Sequence, residues 1–131
     1  MIVVDSSALL AVFLGEPEKQ SFQDRIDGEE RCVLSAVNAH ETACVLRGRL
    51  GAAAVTRFWQ WLIDNEVEII PFDTVQVRAA AVAFERYGKG IDPKAQLNLT
   101  DCAAYALAKT MNAPLLFKGR DFIHTDLQSA M

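Results

Sequence analysis

At 131 residues the chain is long enough to bury a sizeable core, and residues 1–131 are read as a single domain. Its 51% hydrophobic and 23% charged residues are the composition of a soluble globular protein, and no apolar run approaches the ~20 residues that span a bilayer. A net charge of −4, from 13 basic and 17 acidic residues, argues against a general nucleic-acid coat. It does not argue against a nuclease whose metal centre is itself built from acids.

Met1–Val4 is an apolar run closed by Asp5, a short strand buried on both faces with a carboxylate at its carboxyl end. No basic region precedes that run, so no export signal is expected and the cytoplasm is the expected location. Ser6 and Ser7 offer a cap for a helix from about Ser7 to Leu14, broken by Gly15-Glu16-Pro17. A helix over about Glu18–Asp27 ends at Gly28. Arg31–Leu34 reads as a strand, with Ser35 capping a helix that runs to about Leu50. After Gly51, a helix over about Ala52–Asp64 carries Val55, Phe58, Trp59 and Leu62 at helical spacing. Val67–Ile70 is a third strand stopped by Pro71, and Thr74–Tyr87 is helical. A loop over Gly88–Pro93 leads to an alanine-rich helix capped by Thr100 and reaching about Met111. Leu115–Phe117 is a fourth strand, and Lys118-Gly119-Arg120-Asp121 turns into a last short helix. Alternation of strands and helices without repeats or linkers predicts a parallel sheet covered by helices on both faces.

In open parallel sheets, ligands bind outside the carboxyl ends of the strands. Asp5, Glu41, Asp101 and Asp121 all fall at or soon after such ends, or in the early turns of helices. Parallel strands bring them to one edge. Carboxylates gathered there repel one another unless a cation neutralises them. Oxygen-only ligands select Mg²⁺, with Mn²⁺ as a substitute, over zinc. The chemistry this predicts is metal-assisted hydrolysis of a phosphodiester.

Three segments carry a resemblance: MIVVDSSALLAVFLGEPE, LSAVNAHETACVL, and LNLTDCAAYALAKTMNAPLLFKGRDFIHTDL. Together they resemble PIN-domain ribonucleases, and within them the VapC-like toxins of toxin–antitoxin pairs. The resemblance covers most of the chain and is weakest between about Gly51 and Arg86. It implies a three-layer α/β/α domain around a central, mostly parallel sheet of four or five strands. It also implies a Mg²⁺-dependent endoribonuclease whose acidic site is Asp5, Glu41, Asp101 and Asp121, with Asp5, Asp101 and Asp121 on the metal. Ser7 matches the hydroxyl of the family's D-x-S/T motif and supports the site. Arg120 stands where the family often has Asn or Asp. The partners implied are RNA, a cognate antitoxin that pushes a basic side chain into the acids, and a second copy of the toxin in a homodimer.

Plainer roles compete at each position. Asp5 is a favoured N-cap residue, Asp101 suits the positive end of its helix, and Asp121 is an ordinary turn residue. Glu41 has apolar neighbours Val37, Cys44 and Val45, so it points along the face expected to be buried, where an unpaired acid is rare. Asp126 either extends the acidic cluster or bonds locally. Lys118 and Arg120 share a turn with Asp121 and are the expected phosphate grips, with Arg47, Arg49, Arg86, Lys89 and Lys94 on the rim. His40 adjoins Glu41 but projects about 100° away from it, and His124 is expected at the surface. Cys32, Cys44 and Cys102 lack C-x-x-C spacing and read as reduced, buried thiols. Trp59 is expected in the core and Trp61 at a partner interface. Phe13, Phe22, Phe58 and Trp61 are candidates for apolar contact surface, with packing as their default. A non-catalytic binding module, whose acids cap helices and hold a basic peptide, remains open beside the nuclease. A receiver-like phosphoacceptor is disfavoured, since no acid pair accompanies Asp5.

Overall fold

The computed structural model describes all 131 residues. Its strands are β1 (Ile2–Val4), β2 (Cys32–Ser35), β3 (Val67–Ile70) and β4 (Leu115–Leu116). They form one parallel sheet in the order β3-β2-β1-β4. Its helices are α1 (Ser6–Phe13), α2 (Lys19–Asp27), α3 (Ala36–Leu50), α4 (Ala52–Asp64), α5 (Thr74–Tyr87) and α6 (Leu99–Thr110).

Alternation along the central strands splits the core into two. Ile2, Val4, Cys32 and Leu34 face a cluster built with α1 to α4. Val3 and Val33 face the opposite cluster, built with α5 and α6. A strand covered on both sides must be apolar at every position, which explains the uninterrupted Ile-Val-Val run. Helix α6 is buried at every residue from Cys102 to Ala108. Its alanines let it lie close on the sheet, with Tyr105 and Leu107 filling what remains. No helix is long and apolar enough to cross a membrane.

Several expectations shift. Helix α6 is capped by Asn98, not Thr100: the Asn98 side chain accepts from the Asp101 N–H (2.8 Å), and Asp101 Oδ2 accepts from the Asn98 N–H (3.0 Å). This reciprocal box occupies two otherwise orphaned donors and pushes Thr100 inside the first turn. The expected terminal helix does not form. Residues after Lys118 make successive turns, and the chain returns to bridge Leu115 with Ser129. Between Arg120 and Thr125 the backbone closes only single turns, Ile123 N–H to the Arg120 carbonyl and Thr125 N–H to the Phe122 carbonyl, which also accepts from the Thr125 hydroxyl.

The tryptophans exchange roles. Trp59 is 42% exposed, whereas Trp61 packs against the core and its indole N–H donates to Gln23. Phe22 and Phe58 are buried, and Phe13 stacks edge-on against Phe58 and Trp61, so these aromatics are core and not contact surface. Cys32 and Cys102 are buried thiols, but Cys44 is exposed beside His40.

Candidate metal-dependent active site

The geometry of β1 and α1 makes Asp5 unusual. Its Oδ2 accepts from both the backbone N–H (3.0 Å) and the hydroxyl (2.6 Å) of Ser7, which caps α1. Capping accounts for one oxygen only. Oδ1 is buried and has no hydrogen-bond partner, an arrangement that normally carries a penalty. Burial above all, with the charges of Asp101 and Glu41 adding to it, lifts the Asp5 pKa from 3.8 to about 7 against the lowering effect of Ser7.

Asp101 and Glu41 are the acids whose charge reaches it. Asp101, at the start of α6, has its pKa raised to about 6, first by burial and then by the nearby charges of Asp121 and Glu41; the Asn98 N–H opposes this. Glu41 sits near the second turn of α3, where Ser6 donates to one of its oxygens and Thr100 to the other (2.7 Å). Asn38, fully buried one turn earlier on α3, donates to Ser6 Oγ and to the Thr100 carbonyl, each at 3.1 Å. This web ties α1, α3 and α6 together around Glu41. Asp121 is exposed in the turn after β4, and its charge is felt at Asp101.

Asp5, Glu41 and Asp101, distant in sequence, therefore share one electrostatic neighbourhood at the carboxyl edge of the sheet, and Asp121 reaches it through Asp101. Ser7 holds Asp5 and also accepts the Lys118 N–H (2.9 Å), which brings the β4 turn to the same place. Two expected residues lie apart in role. The Asp126 carboxylate is taken by Tyr105 (2.5 Å) and Lys109 (2.9 Å), about one and two turns along α6 from Asp101, so it bonds locally and does not extend the cluster. The Lys118 ammonium pairs with Glu16 and with Glu18 (3.1 Å), which raise its pKa and leave it engaged rather than free for a phosphate. Arg120 is exposed and takes part in none of the chain's ion pairs. Sequence reading treated Ser6 and Thr100 only as caps and passed over Asn38. The signal for Asn38 was its place three residues before Glu41, a polar side chain on the same helix face.

The donor set fits a hard divalent cation: oxygens only, one of them buried and unpaired, with two carboxyls pushed toward neutrality by burial first and by neighbouring acids second. As the side chains stand, no three acid, histidine or cysteine groups form a ready-made cage.

Sheet order, helix layers and acidic edge define a class, and comparison with known proteins agrees with it. Residues 2–127 match the PIN domain model, and the chain belongs to the PIN-domain family. It is 37% identical over 126 residues to ribonuclease VapC30 of Mycobacterium tuberculosis, covering 96% of this chain and 95% of that one. It is 35% identical over 130 residues to ribonuclease VapC42 of the same organism, covering 98% of each. The fold is also that of the solved Mycobacterium tuberculosis toxin VapC20, described as cleaving the sarcin-ricin loop (TM-score 0.80, 15% identity, 97% of this chain and 96% of that one). A toxin–antitoxin complex from Klebsiella pneumoniae contains a similar chain (TM-score 0.74, 15% identity, 96% and 93% covered).

Proposed function

We propose that this chain is a divalent-metal-dependent endoribonuclease, the toxin of a toxin–antitoxin pair, hydrolysing RNA phosphodiester bonds in the cytoplasm. The observation that carries the reading is Asp5. A carboxylate present only to cap α1 has no need to bury a second oxygen without a partner. Relatives named ribonucleases over nearly the whole chain support the activity.

Asp5, Asp101 and Asp121 are the residues to hold the ion, with Mg²⁺ the natural choice and Mn²⁺ its substitute. The chemistry a divalent cation would supply there is polarisation of a phosphoryl oxygen and acidification of a water. The protein's share is positional. Ser7 fixes one Asp5 oxygen and leaves the other without a partner. Ser6 and Thr100 hold Glu41, so that its charge stays at a set place beside Asp5 and Asp101. Arg120, one residue before Asp121 and unpaired, is the cation available to an RNA phosphate.

The acidic edge also suits a basic side chain from an antitoxin, a partner supported by the similar fold in a toxin–antitoxin complex. For a second copy of this chain the fitting surface is an apolar groove. Val37, Phe72, Val77, Phe84, Leu99 and Cys102 line a groove of about 450 Å³ without a charged residue, and Val77 and Leu99 are 48% and 83% exposed. Such an apolar, uncharged face is matched by itself across a twofold axis. Val77→Glu is therefore expected to convert a dimer to a monomer in light scattering; an unchanged mass would remove this face from the interface.

The deciding assay is cleavage of single-stranded RNA with Mg²⁺. Activity is expected to vanish with chelator and in Asp101→Asn, whose amide oxygen still accepts the Asn98 N–H and keeps the helix box. Full cleavage by Asp101→Asn, or cleavage undiminished by chelator, would overturn the proposal.

A further inference from the structure

Lys118 is fastened at both ends. Its backbone N–H donates to Ser7 Oγ, in the first turn of α1. Its ammonium binds Glu16 and Glu18, just past the last turn of the same helix. The turn that follows β4 is thus strapped along the length of α1, whose N-cap is Asp5. Asp121 lies three residues on, and its exposed carboxylate makes no ion pair of its own. Between them Gly119 has φ +96°, with nothing within 4 Å of where a Cβ would stand, so local packing does little to fix the chain there. Two anchors remain to set where Asp121 stands: the Lys118 strap before it, and Phe122 after it, buried and stacked on Phe117 at 5.2 Å.

We propose that Glu16 and Glu18, acting through Lys118, are positioning residues for the metal site. They hold the 118–121 turn so that Asp121 is presented to Asp101. In this role Lys118 does not grip RNA: a phosphate approaching its ammonium would also meet the two carboxylates that already neutralise it. The inference rests on the reading of the acids as a divalent-cation site.

The test compares Lys118→Met, the double variant Glu16→Gln with Glu18→Gln, and Lys118→Arg against the parent chain. Three quantities are read: amide hydrogen exchange of residues 118–121 in the metal-free protein, Mn²⁺ affinity by titration, and kcat and KM for an RNA. Lys118→Met and the double variant are expected to speed exchange and to weaken Mn²⁺ by up to roughly fivefold, the reach of a partly exposed ion pair. Both lower kcat and leave KM for RNA unchanged. Lys118→Arg, still able to meet both acids, restores Mn²⁺ affinity. A phosphate-gripping Lys118 gives the opposite pattern: the acid-free double variant lowers KM, and Lys118→Met raises KM with Mn²⁺ binding intact. That pattern, or exchange and Mn²⁺ binding like the parent's in Lys118→Met, overturns the proposal. A parent chain that fails to bind Mn²⁺ would instead sink the site reading, and the metal-free exchange data would still decide whether the strap holds the turn.

Discussion

Asp5→Asn separates what the fold needs from what the chemistry needs. Burial lifts the Asp5 pKa from 3.8 to about 7, so its folded value lies above its unfolded one. The stability it contributes is therefore fully present below about pH 4 and is lost as pH rises through about 7. At pH 8 the ionised group costs the metal-free fold at most about 4 kcal/mol, from a shift of about three units at 1.36 kcal/mol each. At pH 5 the same reasoning gives about 2 kcal/mol. The asparagine oxygen can still accept from Ser7 and cap α1. Its amide N–H, placed where Oδ1 has no partner, costs about 1–3 kcal/mol at either pH. In chelator, Asp5→Asn should be about 1–3 kcal/mol more stable than the parent at pH 8 and close to it at pH 5. For a domain this size that is a melting shift of roughly 3–10 °C at pH 8. RNA cleavage should be lost in the same variant. Thermal melts at the two pH values, beside a cleavage assay, decide it. A variant that melts below the parent at pH 8, or a metal-free parent more stable at pH 8 than at pH 5, would refute the idea of a carboxylate kept ionised against its surroundings.

Other consequences are open to measurement. Mg²⁺ should raise the melting temperature more at pH 8 than at pH 5, because protons held by Asp5, near 7, and Asp101, near 6, compete with the ion; equal shifts would contradict that competition. Asn38→Ala should destabilise by about 1–3 kcal/mol in chemical denaturation, since it leaves the buried Ser6 hydroxyl and Thr100 carbonyl without their donor. It should also impair cleavage without touching an acid, and a silent substitution would show that the web around Glu41 is dispensable. Trp61→Ala should cost roughly 2–3 kcal/mol, somewhat under the 3–5 of a fully buried tryptophan, while Trp59→Ala stays within about 0.5 kcal/mol. Equal losses would undo the placement of the two rings.

Much of this was legible in the residues. The apolar run before Asp5 and the strand–helix alternation carry the parallel sheet, because strands buried on both faces leave no choice of residue type. The nearness of Asp5, Glu41 and Asp101 followed from the rule that such strands end on one edge, while Asp121 is felt only at Asp101. What escaped was side-chain partnership. Asp126 and Lys118 sit in the same carboxyl-terminal motif as Asp121, yet Tyr105 and Lys109 take one, and Glu16 and Glu18 the other. Nothing in local spacing reveals a partner from another element. The tryptophans failed for a related reason: on α4 the side facing α1 and α2 is fixed by Phe13 and Gln23, from outside the helix. Helical period alone cannot say which of two apolar flanks turns inward. The terminal helix gave way to single turns over Arg120–Thr125, where Phe122 is buried against Phe117, a contact from outside the segment that local propensity does not weigh.

The most direct test of the acidic site is an anomalous-scattering map from crystals of the protein soaked in Mn²⁺. A peak is expected in reach of Asp5 Oδ1 and the carboxylates of Asp101 and Asp121, absent in crystals of Asp5→Asn. A map with no peak at that edge of the sheet, or with manganese bound only elsewhere, would contradict the metal site.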